Sequence, residues 1–271
     1  MSMASRIFKR VALATAVALL LPLAATADEA NPYDLLDAGT ISIGTMADSK
    51  PNTFVQADGT YDGFDIELFM EIAERMGYPK DKVTITSQDF SALMPSVANR
   101  RFDVAIAAIG TTEERKKNVD FSDGYLLFYL SVLSPDASIK EAADLKGKRV
   151  GAVQGTLADH YATKNFTGAD IVRFPDNNTA IAALNNGTID AHFQDHDPAV
   201  EYSKRYPNLK IRIDVPQLDT PAGFVVRKGN DPLREGINKA LHAVIDDGTY
   251  KEIFTKWFPE APLPERFQPK S

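Results

Sequence analysis

The sequence predicts an α/β fold in which one αβ unit is inserted into another. Segments with strand periodicity alternate with segments of helical periodicity through most of the 271 residues, a pattern typical of α/β proteins. The chain is also predicted to cross between the two units twice, near 130–135 and 219–224. Two lobes joined by paired hinge strands suit a protein that closes around a ligand. We therefore expect lobe 1 at 28–132 plus 224–271 and lobe 2 at 133–223.

Lobe 1 is predicted to begin with three strands and two helices. The strands are expected at 41–45, 83–86 and 103–109, and the helices at 64–76 and 91–99. In the first helix, apolar residues fall at three-to-four spacing from Ile66 to Met76, and Gly77 ends the run. An apolar, strand-like segment at 126–133 then leads out of this lobe and breaks at a Ser-Pro-Asp turn.

Lobe 2 repeats the alternation of strands and helices. Its strands are expected at 149–153, 170–174, 191–193 and 210–213, and its helices at 139–145, 156–163, 178–185 and 199–205. A return strand at 222–227 and helices at 233–245 and 249–257 would complete lobe 1. The tail from Pro259 to Ser271 carries four prolines and is predicted to run extended over the surface.

Residues 1–27 are predicted to be a cleavable export signal. Basic residues precede an apolar run at 11–23, and the Ala-Thr-Ala triplet at 25–27 fits a signal cleavage site. The run is shorter than the roughly 20 residues that a membrane-spanning helix needs. We therefore expect a mature chain that begins near Asp28 and acts as a soluble periplasmic protein.

The composition excludes several classes of function. The chain has no cysteine, which removes disulfides, a cysteine nucleophile, a thiolate metal site and a lipid-anchored cysteine. Its net charge is −7, and loss of the basic leader would make it more negative, so nucleic acid is a poor candidate partner. No matched ligand spacing indicates a metal, and we expect no cofactor.

The most informative block is residues 102–125. It is predicted to form a buried strand, a turn of small residues and a helix start that carries Arg115. A strand end, free backbone N–H groups and a helix N-terminus are the parts of an anion site. A guanidinium can also grip a carboxylate in two places.

This block resembles the signature of the family 3 (polar amino acid) solute-binding proteins of ABC importers. Further motifs similar to that family follow in the same order, at 63–68, 146–156, 189–195 and 248–258. The resemblance covers nearly the whole mature chain. It implies a two-lobed type II periplasmic binding protein fold with two hinge strands. It also implies delivery of an amino acid to an inner-membrane ABC permease, and we expect a monomer that is not an enzyme.

An α-amino acid carries a carboxylate and an ammonium, so its site needs a cation and an anion, each hydrogen-bonded because both charges leave water. By resemblance, Arg115 binds the carboxylate and Asp195 binds the ammonium. Thr156, in the turn before a lobe-two helix, is expected to add a hydroxyl and an N–H. Leu157 stands where the family often has a small hydroxyl residue, so we expect only its backbone N–H to serve.

The carboxylate site departs from the family pattern at one position. The backbone from Ala108 to Gly110 is expected to offer N–H donors to the ligand. At Gly110 the family usually has Ser or Thr, whose hydroxyl joins the carboxylate. Glycine keeps the N–H and loses the hydroxyl, so this anchor should be weaker or differently shaped.

The side-chain pocket departs from the family as well. Many relatives have aromatic residues where Ser49 and Asn52 stand in this chain. Phe54 is expected to replace one of these aromatics. Phe90 is the best candidate to stack on the ligand side chain, and packing in the core is the alternative role for it. Because aromatics are fewer and Asp48 is expected to face the cleft, we predict a polar or cationic ligand side chain.

Several alternatives stay open at this point. Arg115 follows two glutamates and could make surface ion pairs, and Asp195 could cap a helix before Pro198. A periplasmic dehydratase of the cyclohexadienyl or arogenate type shares the expected fold, with Asp48 and Glu201 as candidate general acids. The same lobes also serve as receptor sensing domains. A site for a carboxylate without an ammonium is the remaining alternative, which Asp195 argues against.

Overall fold

Two five-stranded sheets form the centres of the two lobes. The computed structural model describes residues 31–215 and 220–269, and the predicted export signal lies outside the described residues. The strands are β1 (Ile41–Thr45), β2 (Asp48–Ser49), β3 (Thr53–Val55), β4 (Tyr61–Asp62), β5 (Val83–Ser87), β6 (Val104–Ile106), β7 (Val119–Phe121), β8 (Leu130–Ser134), β9 (Arg149–Val153), β10 (Asp170–Phe174), β11 (Ala191–Asp195), β12 (Lys210–Val215) and β13 (Val225–Arg227). The helices are α1 (Phe64–Arg75), α2 (Phe90–Ala98), α3 (Leu157–Asn165), α4 (Asn177–Asn185), α5 (His196–Arg205), α6 (Asp231–Asp246) and α7 (Thr249–Trp257).

The sheets have matching designs. The first runs β5-β1-β6-β13-β7, and the second runs β10-β9-β11-β8-β12. In the first, β1 is parallel to β5 and β6, and β13 is antiparallel to its neighbours. In the second, β9 is parallel to β10 and β11, and β8 is antiparallel to its neighbours. The predicted two-lobed α/β fold is confirmed.

The crossings begin where two chain segments pair. The Leu126 carbonyl accepts from the Ala222 N–H at 2.9 Å, and the Tyr125 N–H donates to the Ala222 carbonyl at 2.8 Å. Because β8 lies wholly in the second sheet, the first crossing falls between Leu126 and Leu130, earlier than the predicted 130–135. We accordingly propose that the first segment of lobe 1 ends before Leu130 and not at 132. The second crossing was predicted near 219–224, and residues 216–219 lie outside the described residues.

The start of α1 shows why a glycine is required there. Gly63 has a φ of 125°, and a Cβ at this position would lie 2.2 Å from the carbonyl oxygen of Asn52. Only glycine fits such a backbone without strain. Asp65 in the first turn and Arg75 in the last suit the helix dipole, and the apolar face that begins at Phe64 is buried in the lobe-one core.

Buried aromatic rings hold the base of the hinge. Tyr125 stacks on Phe224 with ring centroids 4.1 Å apart, and Phe224 meets Phe69 edge-on at 5.1 Å. All three rings are fully buried. Such pairs add stability beyond the burial of their area. The chain therefore leaves lobe 1 from a tightly packed aromatic cluster.

Several predicted elements are shorter than expected. The helix predicted at 139–145 is a 3₁₀ turn, Ala142–Leu145. The strand predicted at 103–109 ends at Ile106, because Ala108 takes a left-handed φ of 45° that leaves the strand path. The tail is not only a surface segment, since Phe267 is 2 % exposed and its ring packs 4.9 Å from that of Tyr250.

Candidate functional site

A cavity of about 30 Å³ lies between the two lobes. All but two of the predicted site residues line it, and these are Phe90, Ala108, Gly110, Arg115, Thr156, Leu157 and Asp195. The first four belong to the lobe-one side and the others to lobe 2. Asp48 and Phe54 do not line the cavity. A cavity of this size has room for about two water molecules.

Arg115 joins the two walls of the cavity. Its side chain is 9 % exposed, its Nη1 donates to the Gly110 carbonyl at 2.7 Å, and its Nη2 donates to the Gly155 carbonyl of lobe 2 at 2.9 Å. The guanidinium also lies 5.4 Å from the centre of the Phe90 ring. Burial lowers the pKa of Arg115 to about 10, so it remains a cation at neutral pH. The alternative of surface ion pairs does not fit, because the side chain is buried and its hydrogen bonds go to backbone carbonyls.

The helix start predicted to carry Arg115 does not form an α-helix. Arg115–Lys117 form a single 3₁₀ turn, and a turn of three residues has no aligned run of peptide dipoles to attract an anion. The Ala108 N–H is also engaged, because it donates to the buried carboxylate of Asp65 at 2.7 Å. An anion in this site would therefore be bound mainly by the positive charge of Arg115, with less contribution from backbone N–H groups and a helix dipole than predicted.

Asp195 supplies the opposite charge. It ends β11 and directly precedes α5, yet its side chain makes no capping bond to any described residue. Burial raises the pKa of its carboxyl to about 7, helped by the charge of Asp197 and opposed by Arg115. Asp195 and Arg115 attract each other across the cavity without forming a direct ion pair. A zwitterion placed between them would match both charges.

Thr156 is the N-cap of α3. Its hydroxyl donates to the Val153 carbonyl at 2.7 Å and accepts from the Asp159 N–H at 3.2 Å. These bonds fix the turn in which Gly155 and Leu157 flank Thr156. The hydroxyl is therefore occupied within lobe 2, whereas we predicted that it would face the ligand carboxylate.

Gly110 and Leu157 fit each other across the cavity. A Cβ built on Gly110 would lie 2.5 Å from Cδ1 of Leu157 and 3.3 Å from the ring of Phe128. The Leu157 side chain thus fills the space that a side chain at position 110 would need. Gly110, which lacks a side chain, and Leu157, which fills that space, together form an apolar part of the cavity lining.

Asp48 and Phe54, which do not line the cavity, belong to a small sheet that the sequence did not predict. The sheet order is β2-β3-β4, and Asp48 is paired with Phe54 across its first two strands. The Asp48 carboxylate accepts from the Asn178 N–H at 2.9 Å and from Nδ2 of Asn177 at 3.4 Å. Phe54 packs edge-on against Trp257 at 5.8 Å. Asp48 therefore joins the lobes without facing the cavity.

Gln194 is a cavity residue that the sequence analysis missed. It precedes Asp195 on β11, lines the cavity and is 5 % exposed. Its carboxamide lies near the His192 imidazole, but neither its oxygen nor its nitrogen has a partner at hydrogen-bonding geometry among the described residues. The sequence could have indicated a site role for Gln194, because it directly precedes Asp195, the expected ammonium ligand, at the end of a strand. Burial lowers the pKa of His192 to about 4, so that ring is neutral.

Comparison with known proteins identifies the family. Residues 41–260 match the model of the bacterial extracellular solute-binding proteins, family 3. The chain belongs to this family. It is 33 % identical over 227 residues to ABC transporter arginine-binding protein 1 of Escherichia coli K12, covering 82 % of this chain and 92 % of the relative. It is 29 % identical over 235 residues to the L-cystine-binding protein TcyJ of the same strain, covering 86 % and 87 %.

Solved structures of this family share the fold. An ancestral arginine-binding protein bound to glutamine matches with a TM-score of 0.77 and 38 % identity, covering 82 % of this chain and 99 % of that one. An ancestral amino acid-binding protein described as a precursor of cyclohexadienyl dehydratase matches with a TM-score of 0.73 and 32 % identity, over 81 % and 95 %. The chain is therefore a solute-binding protein by family.

The described part of the chain lacks two features. Within 31–215 and 220–269, no helix is both long enough and apolar enough to cross a membrane. The same residues contain no cluster of three or more metal-binding side chains.

Proposed function

We propose that this protein captures an α-amino acid between Arg115 and Asp195 and delivers it to an inner-membrane ABC permease. The supporting observation is the charge pattern of the cavity: among the described residues that line it, Arg115 is the cation and Asp195 is the anion. The two belong to different lobes and are not directly paired. A ligand with a carboxylate and an ammonium on one carbon matches that arrangement.

Capture requires the lobes to part. A cavity of about 30 Å³ is too small for an α-amino acid, so entry must break the hydrogen bond from Arg115 to the Gly155 carbonyl. The ligand carboxylate can then take over the Nη2 donor, and Asp195 can accept from the ammonium. Closure around the ligand is favoured only by contacts that exist in the closed state.

Periplasmic location, export by a cleaved signal and action as a monomer belong to this proposal. The relatives support the transport role through their names, which include an ABC transporter binding protein of Escherichia coli and a histidine-binding periplasmic protein of Salmonella typhimurium. Relatives are named for arginine, cystine and histidine. An amino acid is therefore the ligand class that we assign to this chain.

A dehydratase is the less supported function. Both acids that the sequence offered for that chemistry lie outside the cavity, since Asp48 bonds to Asn178 and Glu201 pairs with Lys50 at 3.5 Å. One structural relative is a precursor of such an enzyme, so the activity deserves a direct assay. Loss of substrate absorbance on mixing with a prephenate-like compound would favour the enzyme.

A thermal-shift screen tests the proposal. The protein is melted with each common L-amino acid, and with simple organic acids and polyamines for comparison. A ligand at 100 times its dissociation constant adds roughly 2.7 kcal/mol of stability, which raises the melting temperature by roughly several degrees for a chain of this size. A shift with a group of amino acids is expected. A shift with organic acids alone would contradict the proposal.

A further inference from the structure

The charges of the cavity leave no partner for a third ligand charge. In the described segments, 31–215 and 220–269, Arg115 and Asp195 are the charged residues that line the cavity. The proposed function assigns both of them to the α-carboxylate and the α-ammonium, and the present inference rests on that assignment. A ligand side chain with its own positive charge would be buried without a counter-ion, which is strongly unfavourable.

The Asp197 carboxylate, whose charge helps to raise the pKa of Asp195, does not line the cavity. Three other nearby acidic side chains are engaged elsewhere. The Asp48 carboxylate accepts from the Asn178 N–H, and Asp65 accepts from the Ala108 N–H at 2.7 Å. Asp159 accepts from the Gly155 N–H at 3.0 Å and pairs with Arg173 at 2.9 Å. None of these three carboxylates lines the cavity.

Gln194 offers a neutral donor and a neutral acceptor instead. Both atoms of its buried carboxamide lack a partner among the described residues, and an unpaired buried polar group is costly. Asn177, the neighbouring amide in the lining, is already engaged, because its Oδ1 lies 3.3 Å from Nε2 of His192 and its Nδ2 bonds to Asp48. Gln194 is therefore the lining amide that a ligand can satisfy, and the Ser49 hydroxyl also lines the cavity.

The remaining lining is mostly apolar. Met46, Phe90, Phe128 and Leu157 contribute side chains to it, and Leu157 fills the space beside Gly110. We infer that the captured amino acid has a neutral side chain with a short apolar stem and a carboxamide or hydroxyl end that pairs with Gln194. This narrows the polar or cationic ligand predicted from the sequence to the neutral polar class.

Calorimetric titration of the full chain tests this inference. The probes are glutamine, asparagine and serine against arginine and lysine, at one pH and ionic strength. At least one neutral polar amino acid is expected to bind tenfold or more tightly than either cationic one. Tighter binding of arginine or lysine would overturn the inference and leave the proposed function intact. Failure of every α-amino acid would overturn the proposed function as well.

Two substitutions at Gln194 sharpen the test. Gln194→Met keeps the size and removes the hydrogen bonds, so the neutral ligand should weaken about tenfold with no gain for arginine. Gln194→Glu adds a carboxylate, so the preference should move towards arginine by a similar factor. Both variants are first checked for an unchanged melting curve. Neutral-ligand affinity that is unchanged in Gln194→Met would remove Gln194 from the site.

One acidic residue near the second crossing needs its own control. Asp219 lies outside the described residues, so Asp219→Asn is titrated with the same probes. Its preference for the neutral ligand should equal that of the unsubstituted protein. A tenfold or greater change in the preference would assign part of the selectivity to Asp219 and overturn the inference.

Discussion

The cavity and the outer ribbon, residues 48–62, both join the two lobes, but they do so with different chemistry. In the cavity, the charged Arg115 donates to the Gly155 carbonyl, and Asp195 has no direct charged partner among the described residues. In the outer ribbon, Asp48 accepts from the Asn178 N–H, and its own carbonyl accepts from the Tyr202 hydroxyl at 3.1 Å.

This difference separates ligand binding from lobe contact. Buried charges held only by neutral or distant groups can exchange those partners for a ligand of opposite charge. A carboxylate that already accepts a backbone N–H gains less from a new partner. Arg115 and Asp195 are therefore expected to control affinity, and Asp48 to control how firmly the lobes meet.

The largest expected effect comes from Arg115→Ala. It removes the cation that the ligand carboxylate needs and leaves that carboxylate buried without a partner. Amino acid affinity should fall by roughly 2–5 kcal/mol in calorimetric titration. Lys116→Ala is the matched control, because Lys116 makes an exposed pair with Glu113 at 2.8 Å. Affinity unchanged in Arg115→Ala would remove Arg115 from the site.

Asp195→Asn should lower amino acid affinity by nearly as much as Arg115→Ala. It should also change how the affinity depends on pH. The pKa of Asp195 is raised to about 7 in the free protein, whereas the ligand ammonium needs the charged carboxylate. Binding must therefore expel a proton below pH 7, and wild-type affinity should fall as the pH drops from 8 to 5.5, by at most about tenfold per pH unit.

The Asp195→Asn variant should lose roughly 2–5 kcal/mol of binding free energy. Its affinity should also depend less on pH than that of the wild type. Titrations across the same pH range give both quantities. A profile with the wild-type slope would assign the titration to another group, of which Asp65 is the nearest candidate, because burial raises its pKa to about 6.

A double-mutant cycle on Gly110 and Leu157 should show a smaller effect. Gly110→Ala brings a methyl within 2.5 Å of the Leu157 side chain, and overpacking of this kind costs roughly 1–3 kcal/mol. With Leu157→Ala in the same chain, most of that cost should vanish. Denaturant unfolding of the two single variants and the double variant gives the coupling energy, and additive costs would show that the two residues do not share one space.

Asp48→Ala should have the smallest effect on binding. It removes the bonds to Asn177 and Asn178, so the closed arrangement should weaken by roughly 1–3 kcal/mol, visible as a larger radius in small-angle scattering. Ligand affinity should fall less than in Arg115→Ala. Lys50→Ala is the control, because its exposed pair with Glu201 is worth at most about 1 kcal/mol. A loss as large as that of Arg115→Ala would return Asp48 to the ligand contacts.

Much of the framework was predictable because its signals are local. The strands β1, β9 and β10 and the helix α7 have the predicted bounds, since short apolar runs and helical periodicity identify such elements directly. The outer ribbon was missed because β2 and β4 have only two residues each, too few to show an alternating pattern.

The cavity was predicted only in part because its details depend on contacts between distant residues. Sequence position identified Arg115 and Asp195, and the resemblance supplied their expected roles. It could not show that Thr156 uses its hydroxyl to cap α3, that Leu157 fills the space beside Gly110, or that the Gln194 carboxamide is unpaired. Each of these depends on which side chains meet after folding, and the pattern along the chain does not encode that locally.

The most direct measurement compares one amino acid with its two halves. Calorimetry is carried out with the tightest-binding amino acid, with the amine that lacks its carboxylate and with the acid that lacks its ammonium. If Arg115 and Asp195 bind the two charges, each half should bind roughly thirtyfold or more weakly, which corresponds to a loss of about 2 kcal/mol. An acid that binds as tightly as the whole amino acid would show that Asp195 holds no ammonium and would contradict the account.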